Sequence, residues 1–174
     1  MRHYTSEAMK RYAEFSEDRK RRFELIRDWG DEIPNTNQKT VNFIMLNPSV
    51  AGETKDDRTV IKCVGFARGW GFTRAVITNL IPIVSTDPTK LPQWDGIDLD
   101  NKAFLFRWIK RADLVVAAWG SQPPLVAKAI GLSEHIRFVQ SLASTKFRCI
   151  GVTKGGSPLH PSRAKYTESP VQWK

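Results

Sequence analysis

The run Val41-Asn42-Phe43-Ile44-Met45-Leu46 is β-branched, aromatic and nearly continuous in apolar content, and it ends abruptly on Asn47-Pro48-Ser49. Such a run, bounded by turn residues, predicts a buried strand, because proline has no N–H with which to extend a ladder. Three further segments repeat the pattern: Arg74 to Leu80 closes on Asn79-Leu80, Asp113 to Gly120 closes on Trp119-Gly120, and Phe147 to Val152 empties into a loop that holds His160. Helical spacing fills the intervals. Asp56 or Asp57 can N-cap a helix running through Ile61, Val64, Phe66 and Ala67 to about Gly69, and capping is a sufficient role for both acids. Further helices are expected from about Asp100 to Arg111, with Phe104, Leu105, Trp108 and Ile109 as the core face, from Pro124 to Ile130, and from Ser133 to Ser144 with Ser133 as the cap. Strands alternating with helices, each strand apolar almost throughout, predict a three-layer α/β/α fold around a mainly parallel four-stranded sheet. Phe23 to Trp29 alternates in the same sense and adds an N-terminal strand, expected at an edge.

With 174 residues, 41% of them apolar, the chain is long enough for one sizeable core. The expected organisation is a charged extension over residues 1–22, a single domain over 23–165 and a tail over 166–174. The extension mixes Lys10, Arg11, Arg19, Lys20, Arg21 and Arg22 with Glu14, Glu17 and Asp18, which reads as a solvated face. No apolar stretch is long enough to span a bilayer and the N-terminus has no signal-peptide character, so a cytoplasmic monomer with no membrane contact is expected. Cys63 and Cys149 are too few for a disulfide framework or a four-cysteine metal site. His3, His135 and His160 show no ligand-like spacing, so neither metal nor cofactor is expected. A net charge of +9 favours an anionic partner, and six Trp and nine Phe add faces on which bases can stack.

Ligands of open α/β sheets gather at the carboxyl ends of the strands. Right-handed crossovers deliver all the parallel strand ends to one rim, so Asn47, Asn79, Trp119-Gly120 and the His160 loop are expected to converge. Pro158 and Pro161 hold His160 in a stiff loop. The segment Lys154-Gly155-Gly156-Ser157 is not a P-loop, because its lysine precedes the glycines, and this argues against kinase or ATPase chemistry. The loop from Val84 to Ile97 is long enough to suggest that it serves a ligand.

In that order, Leu46-Asn47-Pro48-Ser49, Thr78-Asn79-Leu80, Ala118-Trp119-Gly120 and Leu159-His160-Pro161-Ser162 resemble the uracil-DNA glycosylase superfamily. From Arg21 to Arg163, including Asp56-Asp57-Arg58-Thr59 and Thr153-Lys154-Gly155, the chain resembles more closely a family called domain of unknown function 1643, found in bacteria and phages. The glycosylase resemblance implies that Asn47 orients the attacking water and that His160 stabilises charge on the departing base. It also implies that Asn79 reads the base edge, with Pro48, Ser49, Trp119 and Gly120 around it. Lys154, Gly155, Gly156, Ser157, Pro161, Ser162 and Arg163 would then grip phosphate. Ser49 stands where the uracil-selective enzymes carry tyrosine, which implies room for a 5-substituted pyrimidine. An asparagine at position 47 can position water but cannot take its proton. The expected function is therefore a nucleobase-directed enzyme on DNA or a nucleotide, cleaving an N-glycosidic bond or processing a modified pyrimidine, as in phage DNA modification. Two alternatives stay open: a non-catalytic nucleic-acid-binding module of the same fold, and an enzyme on a small anionic metabolite held by Lys154 and Arg163.

Overall fold

A computed structural model describes residues 9–32, 37–93, 95–142 and 147–173. Within it, seven strands form one mixed sheet in the order β1-β2-β4-β3-β5-β6-β7. The strands are β1 (Lys10–Phe15), β2 (Arg22–Asp28), β3 (Thr40–Met45), β4 (Arg74–Asn79), β5 (Leu114–Ala117), β6 (Phe147–Cys149) and β7 (Val171–Gln172). The helices are α1 (Arg58–Gly69), α2 (Leu99–Arg111), α3 (Pro124–Ala129) and α4 (Leu132–Leu142). β4, β3, β5 and β6 are parallel neighbours, and β1, β2 and β7 join antiparallel. The sheet is thus wider and more mixed than the four-stranded parallel sheet expected.

Strand periodicity divides the core. Val41, Phe43, Met45, Ala75, Ile77, Val116 and Ala118 face α1, where Val60, Cys63, Phe66 and Ala67 meet them. Ile44, Leu46, Val115, Ala117, Trp119, Phe147 and Cys149 face the other way, onto Leu105 and Ile109 of α2 and Leu132 and Val139 of α4. Both cysteines are buried and unpaired with each other. Asp57 caps α1, its Oδ1 accepting from Val60 N–H at 2.8 Å. Among the described residues no helix is long and apolar enough to cross a membrane.

Several sequence expectations are corrected. Residues 10–15 of the charged extension are not merely solvated: they form edge strand β1, which escapes pattern reading because only Ala13 of it is fully buried and charges line its open side. With β1 outside it, β2 lies inside the sheet and not at its edge. Ser133 does not cap α4 but sits within it, since the helix begins at Leu132 after Gly131 turns the chain at φ +60°. The tail contributes β7, and Trp173 packs edge-on against Trp119. Residues 1–8 of the extension, Trp94 of the long loop and Ser144 at the expected end of α4 lie outside the described residues.

His135 on α4 is 5% exposed, and burial pushes its imidazole from 6.5 down to about 4. The native state therefore binds fewer protons than the unfolded chain between those two values, so this contribution is complete above pH 6.5 and is lost as pH falls toward 4. Replacing His135 by Gln should flatten the pH dependence of the unfolding free energy over that window by on the order of 1 kcal/mol per pH unit, measured by urea titration of both proteins. Parallel curves would show that the imidazole does not couple to folding.

Candidate functional site

Parallel pairing of β3 with β4 sets Met45 opposite Asn79, and Asn47 follows two residues beyond, on the same α1-facing side. A cleft of about 50 Å³ opens at these strand ends, and its polar lining is Arg22, Asn47, Ser49, Asp57, Thr59 and Asn79. That volume admits a few water-sized groups, so it is a slot for the polar edge of a ligand.

The Asn47 amide donates to the carbonyls of Ser85 at 2.7 Å, Pro48 at 3.0 Å and Ile83 at 3.5 Å. Carbonyls only accept, so the NH2 must face them, and Oδ1 is the atom left for other work. The long loop after Ile83 thus anchors this side chain. Asn79 is 1% exposed; its Oδ1 accepts from Arg22 Nη2 at 3.3 Å, and its Nδ2 has no partner among the described residues. α2 fixes its backbone, through Asn101 Nδ2 donating to the carbonyl of Asn79 at 2.9 Å. Arg22 is 3% exposed and donates from Nη1 to the Ala51 carbonyl at 2.8 Å. Burial lowers its pKa to about 10, partly opposed by Asp57, so it remains charged at neutral pH. Asp57 enters the cleft from the N-terminus of α1, and among the described residues its side chain is engaged only through Oδ1.

His160 lies on the same rim one strand further along, and it is not among the residues that line the cleft. β3 and β5 pair Ile44 with Ala117, and continuing that register puts Gly120 level with Asn47. Gly120 has φ +73°, and a Cβ built there would lie 3.3 Å from His160 Cβ. The imidazole Nδ1 meets Ser162 Oγ at 2.7 Å and accepts from Ser162 N–H at 3.3 Å, which places the ring proton on Nε2. Burial lowers the His160 pKa, with the Asp57 carboxylate opposing and Arg163 reinforcing the shift. His160 is therefore a neutral ring with one N–H to offer. Lys62 holds the following segment onto α1 by donating to the Ala164 carbonyl at 2.9 Å.

The remaining expected site residues divide. Ser49 lines the cleft, and the buried Pro48 closes the turn by accepting from Ser85 N–H at 2.9 Å. Ser162 and Arg163 are exposed beside His160, and Pro161 is buried at the start of their 3-10 turn. Trp119 cannot share the site with Gly120. Trp119 follows the end of β5 and is 2% exposed in the α2–α4 core against Phe147 and Trp173, on the other face of the sheet from the cleft. The Lys154–Ser157 segment is the tip of a hairpin that satisfies itself, with Thr153 N–H on the Ser157 carbonyl at 2.8 Å and Gly156 N–H on the Thr153 carbonyl at 3.0 Å. Among the described residues no hydrogen bond ties that tip to the cleft. Two lining residues were read otherwise from the sequence: Arg22 as the end of the extension and Asp57 as a cap alone. Among the described residues there is no group of three His, Cys, Asp or Glu side chains able to hold a metal ion.

A family model described as "Protein of unknown function (DUF1643)" matches residues 22–162. No curated protein and no solved structure matches the chain significantly.

Proposed function

Since the chain belongs to the DUF1643 family, whose description names no activity, we propose from the cleft itself that it is a nucleobase-directed enzyme, acting on DNA or a nucleotide at the carboxyl rim of its sheet. The observation that carries this reading is that Asn47 and Asn79, remote in sequence, line one slot together with a buried arginine and a carboxylate.

The arrangement suits hydrolysis of an N-glycosidic bond. Water adds to the sugar carbon as the carbon–nitrogen bond breaks, and the bonding pair leaves with the base. Asn47 Oδ1 holds the water by accepting one of its hydrogens, and Asp57 takes the proton that the asparagine cannot. On the other side of the bond, Asn79 Nδ2 and Arg22 donate to the base edge, and the neutral His160 Nε2–H adds a donor for charge gathering there. Because the slot takes only an edge, the base must present itself from outside the stack. Ser49 leaves space beside it for a 5-substituent, so thymine-like or larger pyrimidines are accepted. The +9 charge and the exposed Arg163 and Lys154 attract the phosphates. This reading has the fold of a uracil-DNA glycosylase working as a cytoplasmic monomer. One observation favours a second reading, an enzyme on a small anionic metabolite: the Arg22 charge has no carboxylate within 4 Å among the described residues and would suit a bound anion.

The test is a product assay. The protein is incubated with oligonucleotides and nucleotides carrying uracil, hypoxanthine or 5-substituted pyrimidines, and released base is sought by mass spectrometry. Release is expected, and it should fall at least tenfold in Asn47→Ala and in His160→Ala, with folding checked by circular dichroism. Tight, steeply salt-dependent DNA binding with no product from any substrate would favour a clamp over an enzyme. Unchanged turnover in both variants would remove this site.

A further inference from the structure

Arg22 reaches the cleft because β2 is irregular. β1 and β2 pair in register from Lys10 with Asp28 to Glu14 with Glu24, and then Phe15 pairs with Arg22, which makes Phe23 an extra residue on β2. Such a bulge shifts side-chain alternation by one and re-aims whatever follows it. Phe23 and Glu24 accordingly both turn to α2, Phe23 stacking on Phe104 with ring centroids 5.0 Å apart and Glu24 accepting from Arg107 at 2.8 Å. Arg22 is left on the α1 side, beside Asn79 and Ala51. Without the bulge, alternation counted from Leu25 would have sent it to α2.

The same strand buries a second arginine, and the contrast between them is informative. Arg27 is 0% exposed and has Asp56 at 2.7 Å. Arg22 is almost as buried, yet its partners among the described residues are two neutral oxygens, and its Nε has none there. Asn79 Nδ2, next to it, is also without a partner among the described residues. An arginine only donates, so the Asn79 oxygen must face Arg22, and the amide NH2 is fixed as the second spare donor. Two spare donors, and a positive charge that has the Asp57 carboxylate across the slot but none within 4 Å among the described residues, suit a ligand that accepts at both.

We propose that Arg22 and Asn79 form a recognition pair for an oxygen that carries or gains negative charge: the ring-carbonyl oxygen of a nucleobase, or a carboxylate or phosphate oxygen of a small anion. The inference rests on the preceding reading for where the ligand sits, and it names what the ligand presents there. An edge such as adenine's, with an amino donor beside a single ring-nitrogen acceptor, sets one of the two donors against a donor and is rejected. In a departing base the ring oxygen becomes more negative as the bond breaks, so the pair binds the later state more strongly than the earlier one.

The full chain labelled with ¹⁵N at arginine Nε is titrated with uracil, thymine, adenine, acetate and inorganic phosphate, and the Arg22 Nε–H resonance is followed. The wild-type titration needs no variant to fold. Saturable movement with uracil or thymine, and none with adenine, is the expected result; Arg22→Lys should then weaken that binding at least tenfold. Movement with acetate or phosphate alone keeps the pair as an oxyanion site and removes the base-directed reading. A resonance unmoved by every probe, or moved equally by adenine, overturns the pairing.

Discussion

Asp56→Ala is expected to lower the unfolding free energy by about 3–5 kcal/mol, enough to leave a small domain barely folded at room temperature. Asp56 sits where three segments meet. Its Oδ1 accepts from Nε of Arg27 on β2 at 2.8 Å, its Oδ2 accepts from Nη1 of Arg11 on β1 at 2.8 Å, and its own backbone leads into α1. Arg27 is wholly buried, and its remaining donors go to backbone carbonyls, including that of Ile26 at 2.8 Å. Removing the carboxylate leaves a guanidinium in the interior with no carboxylate within 4 Å among the described residues, and burial already holds its pKa below the ordinary arginine value despite Asp56. The penalty is thus mainly that of a stranded charge, not of one lost hydrogen bond. The double variant Asp56→Ala/Arg27→Met removes both charges and should recover more than half of the loss. Urea titrations of the wild type, the two single variants and the double variant give the coupling directly. A loss below about 1 kcal/mol in Asp56→Ala would show that solvent reaches Arg27 and that the bridge is a surface pair.

That cluster also marks where the sequence could and could not be read. β3, β4 and β5 are legible because each is a short apolar run bounded by turn residues, and α1 and α2 because each buries one apolar face at helical spacing. Asn47 and Asn79 come together for the same reason: neighbouring parallel strands must end on one rim, and both asparagines lie on the α1-facing alternation. His160 follows to that rim beside Gly120. Trp119 is drawn away from the cleft by its size and apolar surface, which the α2–α4 core buries, while Gly120 beside it turns toward His160. β1 is hidden by its charges, and β7, only two residues long, has too short a pattern to register. Arg22 was out of reach for a deeper reason. Its side of the sheet depends on one extra residue at Phe23, and a bulge leaves no trace in apolar periodicity. A lone count of charges at positions 19–22 makes Arg22 look like its exposed neighbours, while the fold buries it.

Asp57→Asn should separate the two roles that meet at the first turn of α1. Asparagine caps a helix about as well as aspartate, because its side-chain oxygen can still accept from Val60 N–H where Asp57 now does so at 2.8 Å. Stability is therefore expected to stay within about 0.5 kcal/mol of wild type, whereas Asp57→Ala, which loses the cap, should fall by about 1 kcal/mol. Catalysis should respond in the opposite proportion. Asp57 is the one carboxylate lining the cleft among the described residues, and Asn47 beside it can hold water but not accept its proton. Both variants should lose base release by about 10²–10⁴-fold, the usual contribution of a positioned general base. Substrate binding should change little, because the base edge is held by Arg22 and Asn79. Full turnover in Asp57→Asn would reduce this carboxylate to a helix cap and require the proton to leave by another route. Equal losses of stability in the Asn and Ala variants would mean instead that its negative charge, set against buried Arg22, is what the fold depends on.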